Sequence, residues 1–372
     1  MAGDALKEAL LTIKTTAPKY LKGAEDHTIR KRLLLKILQV SGNIIYNVRT
    51  PQMIWDVEVR EPKVRVMNGG QRHQFIQTDA YEQLCIDHAE LESTDQLPRR
   101  QQMINSNSPQ QIVDLAGTKM EKLVRRMSRM VNSQFYADNS TGVNTGMMTG
   151  IKSFLKPDLV GSAAADQVLL PTAGTTYGGK SIELGAFGGQ WSANLGTSPS
   201  SVSANDWPWG QGSTEYDWNT PKMLNTNATF NGQTGWTQNC LHVMRRMSGV
   251  LASTGGEGDA PTVHLLGLDL LQEAKDKLEE RERLYGYSDY AKQLGFPDTL
   301  QYEGAVVSHD YDCPSQEGYA INPNEIALYS VHDQLFFTNA SWETLEQASV
   351  MLCGFLGNWR WVPKCVGGYF AR

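Results

Sequence analysis

A chain of 372 residues is long enough to bury a large core, and two compact units are expected of it rather than one. Hydrophobic residues at 40% and charged residues at 20% exclude a disordered chain, and a net charge of −6 argues against a dedicated DNA-reading domain, which would be basic over at least one face. The charge is uneven: residues 1–50 hold nine Lys or Arg against four Asp or Glu, which makes the amino-terminal arm positive. Residues 1–11 lack the apolar run of a signal peptide, and no apolar stretch approaches a membrane span. Cys85, Cys240, Cys313, Cys353 and Cys365 contain no CxxC pair and read as buried, reduced thiols of a protein made in a cytoplasm.

The arm ends in an expected helix, with Leu34, Ile37, Leu38, Ile44, Ile45 and Val48 at helical spacing behind the basic cluster Arg30, Lys31 and Arg32. From Met53 the period becomes two: Trp55, Val57 and Val59 alternate with Asp56, Glu58 and Arg60. Glu61-Pro62 shifts the phase as a bulge would, and Asn68-Gly69-Gly70 signals a turn. A return strand is expected from Arg72 towards Tyr81 and Ile86. Such a ribbon is marginal alone and needs a surface to lie on, its own subunit's or a neighbour's.

A helix of about thirty residues is expected over 108–139, roughly 45 Å long at ~1.5 Å per residue. Ser108 and Gln111 have capping-box spacing, and Pro109 sits at the first helical position. Ile112, Ala116, Met120, Leu123, Val124, Met127, Val131 and Phe135 form one apolar stripe, while Lys119, Lys122, Arg125, Arg126 and Arg129 occupy the opposite face.

Residues 140–236 turn to Gly, Ser, Thr, Asn and Trp, and loops with short strands are expected there. Trp191, Trp207, Trp209, Trp218 and Trp236 would serve a sugar platform or pin a coreless loop; packing is the commoner role and the one expected. A helix over 237–251, an apolar strand over 263–268 and a charged helix from Asp269, its edge marked by Leu271, Leu278 and Leu284, follow. Short strands are expected at 305–308, 319–321, 326–329, 350–356 and 359–362, the last two flanking Gly357-Asn358.

One catalytic pattern is met. Residues 174–181, GTTYGGKS, satisfy the phosphate-loop expression GxxxxGK[ST], and 263–269 imitates the strand ending in a magnesium-holding aspartate. The mechanism needs a helix opening at Lys180, yet Gly185, Gly188 and Gly189 follow and Pro171 precedes, so a chance match is expected. His309, Asp310, Asp312 and Cys313 cluster like metal ligands but also read as a turn after a strand. His88 and Glu90 lack a second histidine at ligand spacing. No GxSxG elbow and no assignable Cys/His pair is present. No enzyme, cofactor or metal is expected.

With these parts in order, the chain resembles the major capsid proteins of tailed double-stranded DNA phages, of the α+β Hong Kong 97-type fold. The basic helix after Asn107-Ser108 is similar to that family's spine helix, Thr149-Gly150-Ile151 to the bend that follows it, and Tyr177-Gly178-Gly179 with Trp191 to a loop segment of some branches. The most specific stretch is ordered: Tyr290-Ala291, Gly295-Phe296, Leu300-Gln301-Tyr302-Glu303-Gly304-Ala305, Asp310, Pro314, Tyr319, Ile321-Asn322 and Gly357-Asn358. The resemblance implies an amino-terminal arm (1–50), an extended β-hairpin loop (51–95), and a peripheral domain with the spine helix (96–165, completed by 346–372). A Gly/Trp-rich insertion (166–224) and an axial domain (225–345) complete the scheme.

It further implies self-assembly through hexamers and pentamers into an icosahedral shell around double-stranded DNA, held without sequence specificity. Subunit contacts would run through the extended loop at Trp55, Arg60, Glu61, Lys63 and Arg65, with Arg30, Lys31 and Arg32 in the arm and Met120, Leu123, Met127 and Val131 as the spine-helix core. Lys63 lies in the loop where some relatives cross-link, but no acceptor is assigned. The resemblance also implies a portal protein and separate scaffolding and decoration proteins as partners, no membrane, and a place in the virion after assembly in the host cytoplasm. An encapsulin-like compartment is the alternative within the fold, and a phosphate-loop hydrolase the alternative from another class.

Overall fold

The protein, seen here as a computed structural model, is described over residues 33–58, 81–100, 109–139, 146–160, 167–182 apart from 170 and 173, 190–191, 206–207, 221–255, 263–281, 300–343 apart from 303, and 348–372. The arm helix α1 (Leu33–Ser41) buries Leu34, Leu35, Ile37 and Leu38 completely. It stops where Gly42 takes a φ of +72°. Gly42 N donates to Gln39 O and Asn43 N to Leu38 O, the paired bonds of a Schellman cap. The expected helix through Val48 is therefore corrected: Ile44–Ile45 is a short strand parallel to Leu328 and Tyr329. Arg30, Lys31 and Arg32 lie outside the described residues.

Strands β1 (Gln52–Glu58) and β2 (Tyr81–Asp87) form an antiparallel ribbon in the register Gln52↔Asp87 to Glu58↔Tyr81. The period of two does the sorting. Met53, Val57, Leu84 and Ile86 are buried and Trp55 half-buried on one face, whereas Ile54 and Cys85 face out. The bulge at Glu61-Pro62, the turn at Asn68-Gly69-Gly70 and the contact residues Arg60, Glu61, Lys63 and Arg65 lie outside the described residues. After His88 the chain changes sheet, and β3 (Ala89–Pro98) pairs with a distant carboxy-terminal strand, so the ribbon ends at Asp87, short of the expected 95.

Helix α2 (Pro109–Gln134) has 26 residues, about 39 Å at ~1.5 Å per residue. Met120, Leu123, Val124, Met127 and Val131 are buried. The helix ends five residues before the expected Asn139, because Phe135 and Tyr136 leave it through a turn, both buried. Ser108 lies outside the described residues.

The remaining elements are β4 (Lys222–Asn225), α3 (Trp236–Gly255), β5 (Val263–Leu266), α4 (Leu268–Arg281), β6 (Leu300–Tyr302), β7 (Ala305–His309), β8 (Glu317–Ile321), β9 (Ile326–Ser330), β10 (Phe337–Glu343), β11 (Ala348–Trp361) and β12 (Gly367–Phe370). They build two sheets. In the first, β11 pairs with β3 along one edge and with β10 and then β9 along the other, and Ile44–Ile45 extends β9. The second runs β6-β7-β5-β8-β12-β4, with β5 parallel to β7 after the α4 crossover. Helices α3 and α4 cover this sheet through Val243, Met244, Met247, Leu251, Leu271 and Ala274. No helix among the described residues is long and apolar enough to cross a membrane.

Two expectations are corrected by this pairing, and one strand is added to them. The boundary at 345/346 does not separate the units, since β9 and β10 (326–343) lie with β11 while β12 joins the other sheet. The strand β10 had no counterpart among the expected elements. Finally, Gly357-Asn358 is not a turn: the chain runs straight through it in one 14-residue strand. Glycine stands there for close packing, as a Cβ would come within 1.9 Å of Tyr329 O.

Candidate functional site

The base of the ribbon is where the sequence-expected contact residues first meet described structure. Trp55 packs at 6.2 Å between ring centroids from Tyr177, and the Arg360 guanidinium lies 5.7 Å from the Trp55 ring centroid. Tyr177 belongs to a two-residue hairpin, Thr176–Tyr177 against Lys180–Ser181, whose corner Gly178 and Gly179 have φ of +58° and +78°. Positive φ at both corners is the primed turn that suits strand twist. The hairpin lies on the ribbon: Gly178 O accepts from Cys85 N at 3.3 Å, and Lys180 Nζ reaches Glu82 Oε2 at 3.1 Å. A Cβ on Gly178 would stand 2.7 Å from Leu84 Cδ2.

On its inner side the Tyr177 hydroxyl accepts from Trp361 N at 2.8 Å and donates to Trp361 O at 3.1 Å. Burial pushes this phenol well above its ordinary range, so it stays protonated and keeps donating. The same geometry answers the phosphate-loop reading. A strand–turn–strand at 176–181 presents no helix amino terminus, and its lysine is engaged by a carboxylate.

Helix α2 carries its basic face outward. Lys122, Arg125, Arg126 and Arg129 are exposed, Arg125 pairs with Glu121 one turn back, and Lys119 is tied to Asp95 Oδ1 at 3.1 Å and Gln96 O at 2.6 Å. Between α2 and β3 runs a groove of about 630 Å³ that sets Glu90 and Glu92 opposite Arg126 and Arg129. Among the described residues, the outer edge of β3 pairs with no other strand.

The residues that resembled metal ligands form a hydrogen-bonded junction instead. Asp310 is buried and accepts from both Asn132 Nδ2, at 3.2 Å, and Tyr136 OH, at 3.1 Å; Asn132 Nδ2 also reaches Asp312 Oδ2 at 2.6 Å. Burial raises the Asp310 pKa, while these donors oppose the rise. Cys313 Sγ donates to Glu317 O, His309 packs edge-on to Tyr311, and no metal-holding group is found among the described residues. His88 Nε2 donates to Thr50 O at 2.9 Å across the base of the ribbon, and Glu90 is exposed. In the Trp-rich stretch, Trp236 is buried and its indole donates to Leu270 O at 2.9 Å, a packing role. Trp191 and Trp207 sit on paired short strands, and Trp209 and Trp218 lie outside the described residues.

The sequence reading singled out Asn358 without its partners, and missed His264 altogether. Asn358 accepts from Thr149 N at 2.7 Å and donates to Asp87 O at 2.7 Å, joining the bend after α2 to the end of the ribbon. His264, on β5, is fully buried between Tyr369 OH at 3.0 Å and Ser248 Oγ at 3.4 Å. Burial lowers its pKa from 6.5 to about 4. The unfolded chain therefore binds a proton between pH 6.5 and 4 that the folded chain refuses, and stability falls as pH falls through that window. From pH 7 to 5 the loss from this group is about 2 kcal/mol. Asp310 works in the opposite sense, so the readout is the difference between wild type and His264→Gln: urea melts at both pH values are expected to show a shallower loss in the variant.

Against solved structures, the chain matches the capsid of a native GTA particle (TM-score 0.51, 9% identity, 90% of this chain and 91% of that chain) and the capsid asymmetric unit of cyanophage A-1(L) (TM-score 0.51, 12% identity, 90% and 92%). The capsid of the empty GTA particle matches at a TM-score of 0.50 and 9% identity over 90% of this chain and 96% of that chain. No family model matches the sequence, and no curated protein matches it. The likeness is one of fold: the chain has the architecture of the phage capsid proteins.

Proposed function

We propose that this chain is a structural shell protein, the major capsid protein of a tailed phage, that assembles with copies of itself as hexamers and pentamers into a closed icosahedral shell around double-stranded DNA. The observation that carries the reading is the capsid fold over 90% of the chain, with a two-stranded ribbon whose described part is tied to the body through the Tyr177 hairpin. Ile54 and Tyr81 are exposed on the outer face of the ribbon, 50% and 65%, which suits a surface completed by a neighbour. Rotation about a heterologous contact closes rings, and shell contacts of this kind bury on the order of 2,000 Å² or more. The ribbon residues Arg60, Glu61, Lys63 and Arg65 would lie across that contact and set register more than affinity. The GTA and cyanophage matches are themselves capsids, which supports a virion component; a portal protein and separate scaffolding and decoration proteins would be its partners.

Negative-stain microscopy and sedimentation of the chain expressed alone test this. Closed shells or capsomer rings are expected, and replacing residues 59–80 by a short Gly-Ser turn is expected to leave a folded, unassembled subunit. Shells that enclose a co-purifying enzyme instead of nucleic acid would replace the phage reading by an encapsulin-like one, and a wild-type chain that stays monomeric even with its phage's scaffold would end the shell reading.

A further inference from the structure

Helix α3 borders a cleft that the shell reading leaves without a role. Helix α3 turns His242, Arg245, Arg246 and Gly249, spaced i, i+3, i+4 and i+7, towards a space of about 640 Å³. The far wall is the turn of the hairpin Thr229–Phe230/Gln233–Thr234, contributing Phe230 and Asn231, together with Gln167. That wall is held in place: Gln167 Nε2 donates to Thr229 O at 2.7 Å, and Gln167 O accepts from Asn225 N at 3.0 Å.

The lining contains no acidic residue among the described residues, in a chain whose net charge is −6. Neither His242 nor Arg246 makes a hydrogen bond or ion pair within the described residues. Apolar walls from Phe230 and Val250 focus the field of such a site. The groove beside α2 makes the useful contrast, since its two arginines face two glutamates and its charge sums to zero. Gly249 leaves the cleft open, because a Cβ there would meet nothing within 4 Å.

We propose that this cleft is an anion site for the phosphate groups of a compact oligophosphate. Arginine forks match phosphate oxygens in pairs, and amides such as Asn231 can complete the shell of donors. The volume is that of a small-ligand pocket. Two sources carry this chemistry, free oligophosphates and a nucleic-acid backbone, and only the first fits wholly inside.

Calorimetric titration of the full-length chain with sodium tripolyphosphate at low ionic strength tests the site, with a short DNA duplex as competitor. Wild type is expected to bind, and Arg246→Ala is expected to weaken binding about tenfold or more. Gly249→Leu keeps every charge but fills the cleft, and should weaken binding as strongly. Arg129→Ala, in the other groove, should leave it unchanged. A duplex that displaces tripolyphosphate from wild type makes the backbone the physiological source; one that does not makes it the free anion. No binding by wild type, or wild-type binding by either cleft variant with its circular dichroism intact, overturns the proposal. The measurement reads the chain whether or not it forms shells, so the two readings fail separately.

Discussion

Trp361→Ala is expected to destabilise the folded chain by about 4 kcal/mol, in the range for emptying a large aromatic site in a packed core. Trp361 is fully buried, and its ring stands 4.7 Å from Phe135, 5.7 Å from Phe154 and 6.2 Å from Trp359 between centroids. These partners come from the end of α2, the segment after it and β11, so the cavity would open where three elements meet and where none can collapse alone. The indole also donates to Thr149 O at 2.8 Å, and that buried acceptor would lose its donor. Denaturant melts measure the loss. Trp361→Phe, which keeps most of the apolar volume, should cost less than half as much, and a loss below about 1 kcal/mol for the alanine variant would show that the aromatic cluster does not hold these three elements together.

Asn132→Ala is the second large expected effect, about 2–4 kcal/mol. One amide nitrogen serves two carboxylates, Asp310 and Asp312, and its removal leaves Asp310 with Tyr136 OH and the Asp312 backbone N–H as its donors. The burial that already raises the Asp310 pKa would then go less opposed, so the folded chain would hold a proton on Asp310 at higher pH. Protonation taken up by the folded state favours it, so the deficit of the variant should shrink as pH falls from 7 towards 5. A double-mutant cycle with Asp310→Asn isolates the pair: a coupling of at least about 1 kcal/mol is expected, and independent effects of the two substitutions would remove the junction as a unit.

How far the sequence carries depends on whether the information is local. The stripe of α2 was readable because Ala116, Met120, Leu123, Met127 and Val131 repeat with the helix, and the ribbon because Met53, Trp55 and Val57 repeat with the strand. The helix stop at Gly42 was written in the chain as well, but the apolar pair Ile44 and Ile45 kept the helical phase and hid it. Partners were not readable. Nothing local says that β12 lies between β8 and β4, or that Gly357 is small because Tyr329 O passes beside it. The site divides the same way. Trp55 was visible as a ribbon aromatic, while the Tyr177 hydroxyl that serves both the N–H and the C=O of Trp361 joins residues 184 positions apart. Asn132 gave one weak signal, a polar residue on the buried side of an amphipathic helix; its carboxylate partners lie 178 and 180 positions away.

The two sheets also share a timing. The central strand of the first, β11, and a strand inside the second, β12, follow all their partners in the chain. A ribosome makes the partners first, and the first sheet cannot close until β11 has left it, nor the second until β12 has. Pairings of such long sequence separation form slowly. A nascent chain therefore carries its ribbon and its long helix before it owns a finished body to mount them on, and an incomplete copy cannot present the geometry a growing assembly would accept.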